Sequence, residues 1–402
     1  MNINTIEEAS KVLLDLASPL DTEKIILAEA YQRVLAEDIY AEIPVPAFEK
    51  SAYDGYAIRS EDTACATEAM PVRLRVTEVV PAGQIPKYAI LPGEAARVMT
   101  GAAIPAGADA VIMYEKTEFT DMEVFIDHPV SVGNIIPAGE DVEQGIRLAE
   151  KGRLLSASDV ALIAGQGIET IRVYRRPKIG ILSTGSELLQ TGEAMEPGKI
   201  YNTNPYLLSG YLMRYHMTPD ILGVVPDDKV SLCEALRMAL ETHDVVITTG
   251  GVSAGDFDFM PKVVREVGAT VLFHKLKFKP GGAMLAAVKD GKMILALSGN
   301  PGAAATSLLC VGLPCMKKLC GQAETGFIHT TAILSESYPK FSKVTRILKG
   351  KATFQSGKLY FTPLRNQCNG SVSSMGDCDM LAIIPAGSGP LAAESELEIY
   401  IL

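Results

Sequence analysis

Apolar residues between Lys178 and Gly321 follow two alternating patterns, short continuous runs and segments with helical spacing. Continuous runs are typical of strands buried on both faces of a parallel sheet, and helical spacing is typical of the helices that cover such a sheet. The pattern therefore predicts an open, doubly wound, mostly parallel α/β domain. Its predicted strands span residues 179–182, 220–225, 245–248, 270–276 and 293–297, and its predicted helices lie near 205–215, 230–242, 261–267 and 303–319.

The flanking segments have other patterns. Helical spacing over residues 6–16 and 25–35 predicts two N-terminal helices, and residues 156–164 predict another helix that Ser156 or Ser158 caps. Alternating apolar residues from about 70 to 145, and again from about 330 onward, predict two β-rich modules. The predicted segments are N-terminal helices with a first linker part over 1–45, an inserted β-rich domain over 46–145, a second linker part over 146–177, the α/β domain over 178–326 and a C-terminal β module over 327–402.

The composition limits the function. The chain has 402 residues, 48% of them hydrophobic, and a formal net charge of −11. A broad surface for nucleic acid or an anionic membrane would oppose that charge, so we expect neither partner. No apolar stretch approaches the roughly 18 uninterrupted residues of a membrane span, and the acidic N-terminus does not resemble a signal peptide, which predicts a cytoplasmic protein. The 7 cysteines and 5 histidines have no metal-binding spacing.

Three predicted strands of the α/β domain end in loops rich in Gly, Ser and Thr. Ligands of open α/β sheets bind at the carboxyl ends of the strands, so we expect these loops to lie together. Their backbone N–H groups and hydroxyls suit a phosphate or another oxyanion, although turn chemistry alone also produces such loops. No GxGxxG follows a predicted strand and no GxxxxGK[ST] is present, which argues against ordinary dinucleotide and NTP sites. The candidate loop residues are Ser183, Thr184 and Gly185; Gly250, Gly251 and Ser253; and Ser298, Asn300 and Pro301.

Charged residues follow the same strand ends. Lys275, Lys277 and Lys279 alternate along a predicted strand, which would place all three on one face, either as a solvated surface or as a cradle for a polyanion. Carboxylates near the loops supply the hard oxygen ligands that Mg²⁺ prefers. These carboxylates belong to Glu187, Asp227, Asp228, Asp256 and Asp258. From the residues alone, the sequence predicts a cleft enzyme or a binding protein for a small anion.

Two further loops, PAFEKSAYDGYA at 46–57 and MTGAAIPAGADAV at 99–111, complete an ordered series of motifs. The series continues with GED at 139–141, STGSEL at 183–188, TTGGVSAGDFD at 248–258, KPG at 279–281 and GNP at 299–301. Over essentially the full chain, it resembles the molybdopterin molybdenumtransferase family, MoeA and the gephyrin E domain. The resemblance implies that adenylylated molybdopterin is bound, its phosphoanhydride cleaved and molybdate inserted, giving molybdenum cofactor and AMP with a divalent cation such as Mg²⁺. It also implies a discontinuous linker domain, a molybdopterin-binding α/β domain and a small C-terminal β barrel.

The resemblance assigns site residues position by position. It implies catalytic roles for Asp54, Thr100, Asp141, Glu187, Asp228 and Asp258, and metal ligation by Asp54, Glu187, Asp256 and Asp258. Substrate contacts are implied for Lys275 and Lys279 in addition to the loop residues named above. The resemblance further implies a homodimer whose clefts combine both subunits. A molybdopterin adenylyltransferase, molybdoenzyme targets and chaperones are candidate partners.

Two positions near the anion site depart from the family pattern. Gly282 stands where the family has a lysine, and Ser298 stands where it has a proline. Because a neutral hydroxyl contributes less than the charge that is lost, we expect weaker and more salt-tolerant oxyanion binding, with turnover retained at high molybdate. A tungstate-specific paralogue is one alternative. A non-catalytic cofactor carrier or scaffold is another, and the retention of the acidic residues and Lys275 argues against it.

Overall fold

A computed structural model describes residues 3–252 and 259–402 of the chain. Within these two ranges, no helix has the length and apolar character needed to cross a lipid bilayer. The longer helices are Ile6–Leu16, Ala157–Gly165, Asn204–Arg214, Lys229–Thr242, Met260–Glu266, Pro301–Ser307 and Leu313–Leu319, and the short helical turns are Leu27–Glu29, Ser60–Thr63, Tyr114–Lys116 and Ser373–Gly376. A π-helical turn, Leu308–Gly312, joins two of them and makes the predicted helix near 303–319 one continuous rod.

The N-terminal segment contains one of its two predicted helices. The helix Ile6–Leu16 begins at Thr5, whose hydroxyl accepts from the Glu8 N–H while the Glu8 carboxylate accepts from the Thr5 N–H. The second predicted helix, over 25–35, is wrong, because Thr22–Ile26 is a strand that pairs antiparallel with Thr170–Tyr174, Leu27–Glu29 is a single helical turn, and Val34 and Leu35 form bridges to Leu154 and Val173. Pairing with a distant strand therefore overrides the helical spacing in this stretch.

The linker domain joins two stretches that are far apart in the sequence. The strand Ile39–Tyr40 pairs with Arg147–Ala149 in addition to the pair just described. The helix Ala157–Gly165 begins at Ser156, whose hydroxyl accepts from the Asp159 N–H, as the sequence predicts. The buried side chains of this domain form a core of their own, which includes Leu35, Leu155, Ile163 and Val173.

The inserted β-rich domain is built on one six-stranded sheet. The outermost strands are two to four residues long, and the sheet has a buried cluster on each face. A separate short pair, Lys50–Ser51 with Ile135–Ile136, leads into and out of the domain. Across the sheet, the strand order is Ala110–Met113, Gly55–Ile58, Glu94–Val98, Val72–Val80, Glu123–Ile126 and Glu118–Phe119.

The α/β domain has a six-stranded sheet with helices on both faces. Four neighbouring strands are parallel, and two antiparallel strands complete one side. Separate buried clusters lie on its two faces, as expected for a doubly wound sheet. The order is Asp220–Val225, Ile179–Thr184, Val245–Thr249, Lys292–Leu297, Leu285–Lys289 and Thr270–His274, and the short strands Leu188–Leu189 and Ile200–Tyr201 pair outside this sheet.

The prediction that three lysines share one face of one strand is wrong. The strand ends at His274, and Lys275 follows with a φ of 66° that turns the chain out of the sheet. The backbone N–H of Lys277 donates to the carbonyl of Asn4. Lys279 belongs to a short strand of the C-terminal sheet, so the three side chains are distributed over separate elements.

The C-terminal domain is a closed five-stranded barrel. Phe278–Lys279 adds to it from the α/β domain by parallel pairing with Thr345–Gln355. The barrel strands run in the order Thr345–Gln355, Lys358–Pro363, Ile328–Leu334, Glu396–Ile401 and Met380–Ile384, and the last pairs back to the first. The predicted fold, a doubly wound α/β domain with β-rich domains and a C-terminal barrel, is confirmed.

Candidate functional site

The three Gly-rich loops lie at one edge of the α/β sheet. They follow Ile179–Thr184, Val245–Thr249 and Lys292–Leu297, which are adjacent parallel strands. The Gly250 N–H donates to the Leu297 carbonyl over 3.0 Å, which joins the second loop to the third strand. The structure thus brings together the loop residues selected from the sequence, except Ser253, which lies outside the described residues.

Close backbone packing explains why the second loop needs glycine. Gly250 has a φ of 102°, and a Cβ atom there would lie 2.5 Å from the Thr184 carbonyl oxygen. Gly251 has a φ of 66°, and its Cβ atom would lie 3.2 Å from Cγ of Met260. At Gly250 and Gly251 the loop therefore presents backbone rather than side chains, and such a surface suits an oxyanion.

The third loop is held by polar contacts on both sides. The Asn300 N–H donates to Oγ of Ser298 over 3.2 Å, and Nδ2 of Asn204 donates to the Gly299 carbonyl over 2.8 Å. The Asn300 carbonyl accepts from the Ala304 N–H over 2.9 Å, so the helix Pro301–Ser307 begins immediately after the loop. Pro301 is the first residue of this helix. A proline is tolerated there because the backbone N–H at that position has no partner within a helix.

Adjacent acidic residues have different partners. Asp227 accepts hydrogen bonds from the Thr184 hydroxyl and from the Ser186 N–H, so it contacts the first loop. Asp228 accepts from the Ser231 N–H over 2.9 Å and caps the helix Lys229–Thr242. Hydrogen bonds from Ser231 lower the pKa of Asp228. The sequence points to both carboxylates, and the resemblance assigns the catalytic role to Asp228. The structure gives the loop contact to Asp227, and the catalytic role of Asp228 stays a prediction.

The first loop also carries the exposed carboxylate of Glu187. This carboxylate folds back over Gly185, where a Cβ atom would lie 2.6 Å from Oε2 of Glu187. The amine of Lys199 donates a hydrogen bond to the Ser186 carbonyl, which adds a second contact to the first loop. A side chain at position 185 would therefore displace the Glu187 carboxylate.

Asp54 and Thr100 form a pair in the inserted domain. Oδ1 of Asp54 accepts from the Thr100 N–H over 2.6 Å and from the Thr100 hydroxyl over 2.8 Å. The Thr100 N–H, the Thr100 hydroxyl and the Arg97 charge lower the pKa of Asp54. Asp141 is exposed, and its N–H donates to the Val45 carbonyl over 3.0 Å. Within 3–252 and 259–402, no hydrogen bond or ion pair joins Asp54 or Thr100 to the α/β domain.

The predicted metal ligands do not form a magnesium site in the described part of one chain. Asp54 belongs to the inserted domain and Glu187 to the α/β domain, and Asp256 and Asp258 lie outside the described residues. No group of three or more His, Cys, Asp or Glu side chains suited to a metal occurs among the described residues. Mg²⁺ binding therefore stays a prediction.

Gly282 has no space for a side chain. A Cβ atom there would lie 2.3 Å from the Leu276 carbonyl oxygen and 2.4 Å from the Phe278 carbonyl oxygen. The Gly282 carbonyl itself accepts from the Leu276 N–H over 2.8 Å. The departure at this position therefore involves the path of the backbone as well as the loss of a charge.

A buried lysine beside the third loop is absent from the predicted residues. Lys349 is fully buried, and its amine donates to the Cys368 carbonyl and to the Ser374 hydroxyl. A Cβ atom at Gly302 would lie 3.3 Å from Nζ of Lys349, so this charge is at the first turn of the helix that follows the loop. Burial lowers the pKa of Lys349. The alternation of apolar and polar residues along a barrel strand does not show which of its lysines is buried.

Comparison with known proteins supports each part of this architecture. The MoeA N-terminal region, domains I and II, matches residues 4–167. A probable molybdopterin binding domain matches residues 180–318, and the MoeA C-terminal region, domain IV, matches residues 331–402. Fold and site together thus define a multi-domain protein built around an α/β domain of the molybdopterin-binding class.

Full-length relatives agree with the domain matches. The chain is 35% identical over 402 residues to a molybdopterin molybdenumtransferase from Bacillus subtilis strain 168, covering 99% of this chain and 94% of the relative. It is 34% identical over 397 residues to that of Staphylococcus aureus strain Mu50, covering 98% and 95%. A crystal structure of the molybdopterin biosynthesis MoeA protein from Pyrococcus horikoshii OT3 superposes with a TM-score of 0.82 at 33% identity, covering 100% of both chains. The chain belongs to the molybdopterin molybdenumtransferase (MoeA) family, and it is an enzyme of molybdenum cofactor biosynthesis.

Proposed function

We propose that the enzyme inserts molybdate into adenylylated molybdopterin and releases AMP. The observation that supports this proposal best is the convergence of three loops rich in Gly, Ser and Thr at one edge of the α/β sheet. Backbone N–H groups in such loops bind phosphate oxygens without needing a side chain. A pyrophosphate-linked substrate has two phosphate groups to place there, so the loops fit its central part.

The proposed reaction balances in atoms. Two dithiolene thiols replace one oxygen of molybdate, which leaves with their protons as water. Cleavage of the phosphoanhydride consumes one water and gives AMP and the phosphate of the pterin. The chain's own residues hold the phosphates at the loops, and Asp227 keeps the first loop in place through Thr184 and Ser186.

The direct test is AMP release measured by mass spectrometry from purified adenylylated molybdopterin. We expect release to depend on molybdate, and a parallel series with tungstate separates the two oxyanions. Release at the same rate without either oxyanion would contradict coupled insertion. If the protein binds the nucleotide and releases no AMP under any of these conditions, it is a carrier rather than an insertase.

We also propose that the active cleft combines two chains of a homodimer. The Asp54–Thr100 pair has no polar contact with the α/β domain among the described residues of its own chain. The resemblance nevertheless implies that Asp54 and Thr100 act together with residues of the α/β domain. A partner chain can supply the facing loops without any change in the fold. Mg²⁺, an adenylyltransferase that delivers the substrate and molybdoenzyme or chaperone acceptors are further parts of the proposal.

Mixing two inactive variants tests the shared cleft. Asp54→Asn disables the inserted domain and Asp227→Ala disables the α/β loop, so a heterodimer of the two has one intact cleft. Random pairing makes half of the dimers heterodimers, so we expect about a quarter of the wild-type AMP release per chain. No recovery in a mixture shown to contain heterodimers would place both residues in one chain's cleft.

A further inference from the structure

One end of the C-terminal barrel contains a cavity of about 420 Å³. Ile328–Leu334 and Lys358–Pro363 run parallel, and Thr345–Gln355 runs antiparallel to the second, so the ends of the first two strands meet the start of the third. The segments that follow the first two strands line the cavity together with Arg346. Barrel mouths are frequent places for small ligands, and this volume is within the range of about 300–1,000 Å³ typical of such sites.

The cavity is basic in an acidic protein. Lys340, Arg346 and Arg365 line it, against the single carboxylate of Glu336, while the whole chain has a net charge of −11. In the described ranges, none of these three basic side chains forms an ion pair. Three unpaired cations around one concave surface favour an anion.

Two buried polar groups at the same place lack partners. Tyr338 is only 6% exposed, and its hydroxyl has no hydrogen-bond partner among the described residues. Nε of Arg346 is buried and likewise without an acceptor within 3–252 and 259–402. Both groups can donate a hydrogen bond, and neither atom is accessible from the cavity, so the three basic side chains that line it are the groups that favour an anion.

The pairing of strands adds a further positive charge nearby. Lys279 is the register partner of Arg346, across the parallel pairing of Phe278–Lys279 with the barrel. Register partners have their side chains on the same face of a sheet, and like charges in that arrangement repel each other. A bound anion would remove this repulsion.

We propose that this end of the barrel binds a tetrahedral oxyanion, either free or as the phosphate group of a small organic molecule. Arg346 and Arg365 would hold the oxygens, because guanidinium groups match phosphate geometry with paired donors. The apolar side chains of Pro339 and Leu364 line the same cavity and offer contacts to an organic part. The residues that line the cavity belong to the barrel domain and not to the three strand-end loops, and only the neighbouring Lys279 is also a predicted substrate-binding residue. The proposal does not depend on the reaction proposed above.

The test measures anion binding by the full-length protein at constant ionic strength, with calorimetry of inorganic phosphate and of AMP. Arg346→Gln and Arg365→Gln should each weaken binding at this site about tenfold, the effect of one lost charge-assisted contact. Lys343→Gln is the matched control, because Lys343 is exposed in the same domain and does not line the cavity. Lys275→Gln reports binding in the α/β domain separately. AMP should bind more tightly than phosphate if the ligand has an organic part, and equally if it is a free oxyanion.

The proposal fails if the wild-type protein shows no saturable binding of either anion that the arginine variants remove. It also fails if Lys343→Gln weakens binding as much as Arg365→Gln, because the effect would then be general surface charge. Loss only in Lys275→Gln would assign the anion to the strand-end loops and overturn the barrel site. Arg365 is exposed, so its variant decides the matter even if Arg346→Gln fails to fold.

Discussion

Asp227 and Asp228 provide a matched test of how the first loop is positioned. They are neighbours with identical side chains, but one contacts Thr184 and Ser186 and the other caps a helix. Asp227→Ala leaves a threonine hydroxyl and a backbone N–H of the loop without their acceptor. Asp228→Ala leaves the loop contacts in place and removes only the cap.

The size of the effect follows from the contacts. A hydrogen bond to a charged group contributes about 1.5–3 kcal/mol, and the lower value applies here because Asp227 is only half-buried. Two such contacts give about 3 kcal/mol for the position of the loop, or roughly 100-fold in kcat/KM for AMP release. Asp228→Ala should lower the unfolding temperature through loss of the cap and change kcat/KM by less than about threefold.

The assay is steady-state AMP release, with thermal unfolding of each variant as the control for folding. Asp227→Asn keeps one acceptor oxygen without the charge, so its kcat/KM should lie between those of the wild type and Asp227→Ala. Loop positioning by Asp227 would be refuted if Asp228→Ala lowered kcat/KM as far as Asp227→Ala at a temperature where both are folded. An unchanged kcat/KM in Asp227→Ala would refute it equally.

Further predictions concern packing, thiols and pH. Gly282→Ala should lower the free energy of unfolding by about 1–3 kcal/mol, because its Cβ atom would overlap the Leu276 and Phe278 carbonyl oxygens, and equal stability by denaturant unfolding would contradict this. Aromatic disulfide reagents at pH 8 should modify the exposed Cys65 and Cys368 quickly in the native state, whereas burial raises the pKa of Cys310, Cys315 and Cys320 to about 12 and protects them. The pKa of Asp54 is below its ordinary 3.8, so its contacts with Thr100 stabilise the fold above that pH and are lost as pH falls through the lowered value. Unfolding temperatures of the wild type and Asp54→Asn should therefore converge in acid.

The sequence predicts the α/β domain well because its strands are fully buried. Continuous apolar runs such as residues 245–248 and 293–297 are too hydrophobic to lie on the surface. The structure contains buried strands there, at Val245–Thr249 and Lys292–Leu297. Glycine at 250 could also be interpreted locally, since a strand end followed by two glycines indicates a close backbone turn. These features depend on neighbours a few residues away, which is the range that a sequence pattern covers.

Features that depend on distant partners could not be predicted in this way. The stretch 25–35 has helical spacing, but its ends pair with Leu154 and with the strand Thr170–Tyr174, more than a hundred residues away. The choice between Asp227 and Asp228 depends on which side of the chain faces Thr184, and a one-residue difference reverses it. The sequence pattern around Lys349 predicts only a strand of the C-terminal β module. The position of Lys349 beside Gly302 results from the packing of the barrel against the α/β domain.

The packing of the C-terminal barrel against the α/β domain makes the barrel part of the candidate site. The largest buried cluster combines Leu13 of the first helix, Ile181 and Leu295 of the α/β sheet, and Ile347 and Leu381 of the barrel. At the third loop, the Ala303 N–H donates to the Asn369 carbonyl over 3.2 Å, and Lys349 closes the same corner from the barrel. The barrel and the α/β domain share a hydrophobic core and the contacts at the third loop. A substitution in the barrel can therefore change the geometry of a strand end in the α/β domain. The position of the third loop is therefore a property of two domains, although its residues belong to only one.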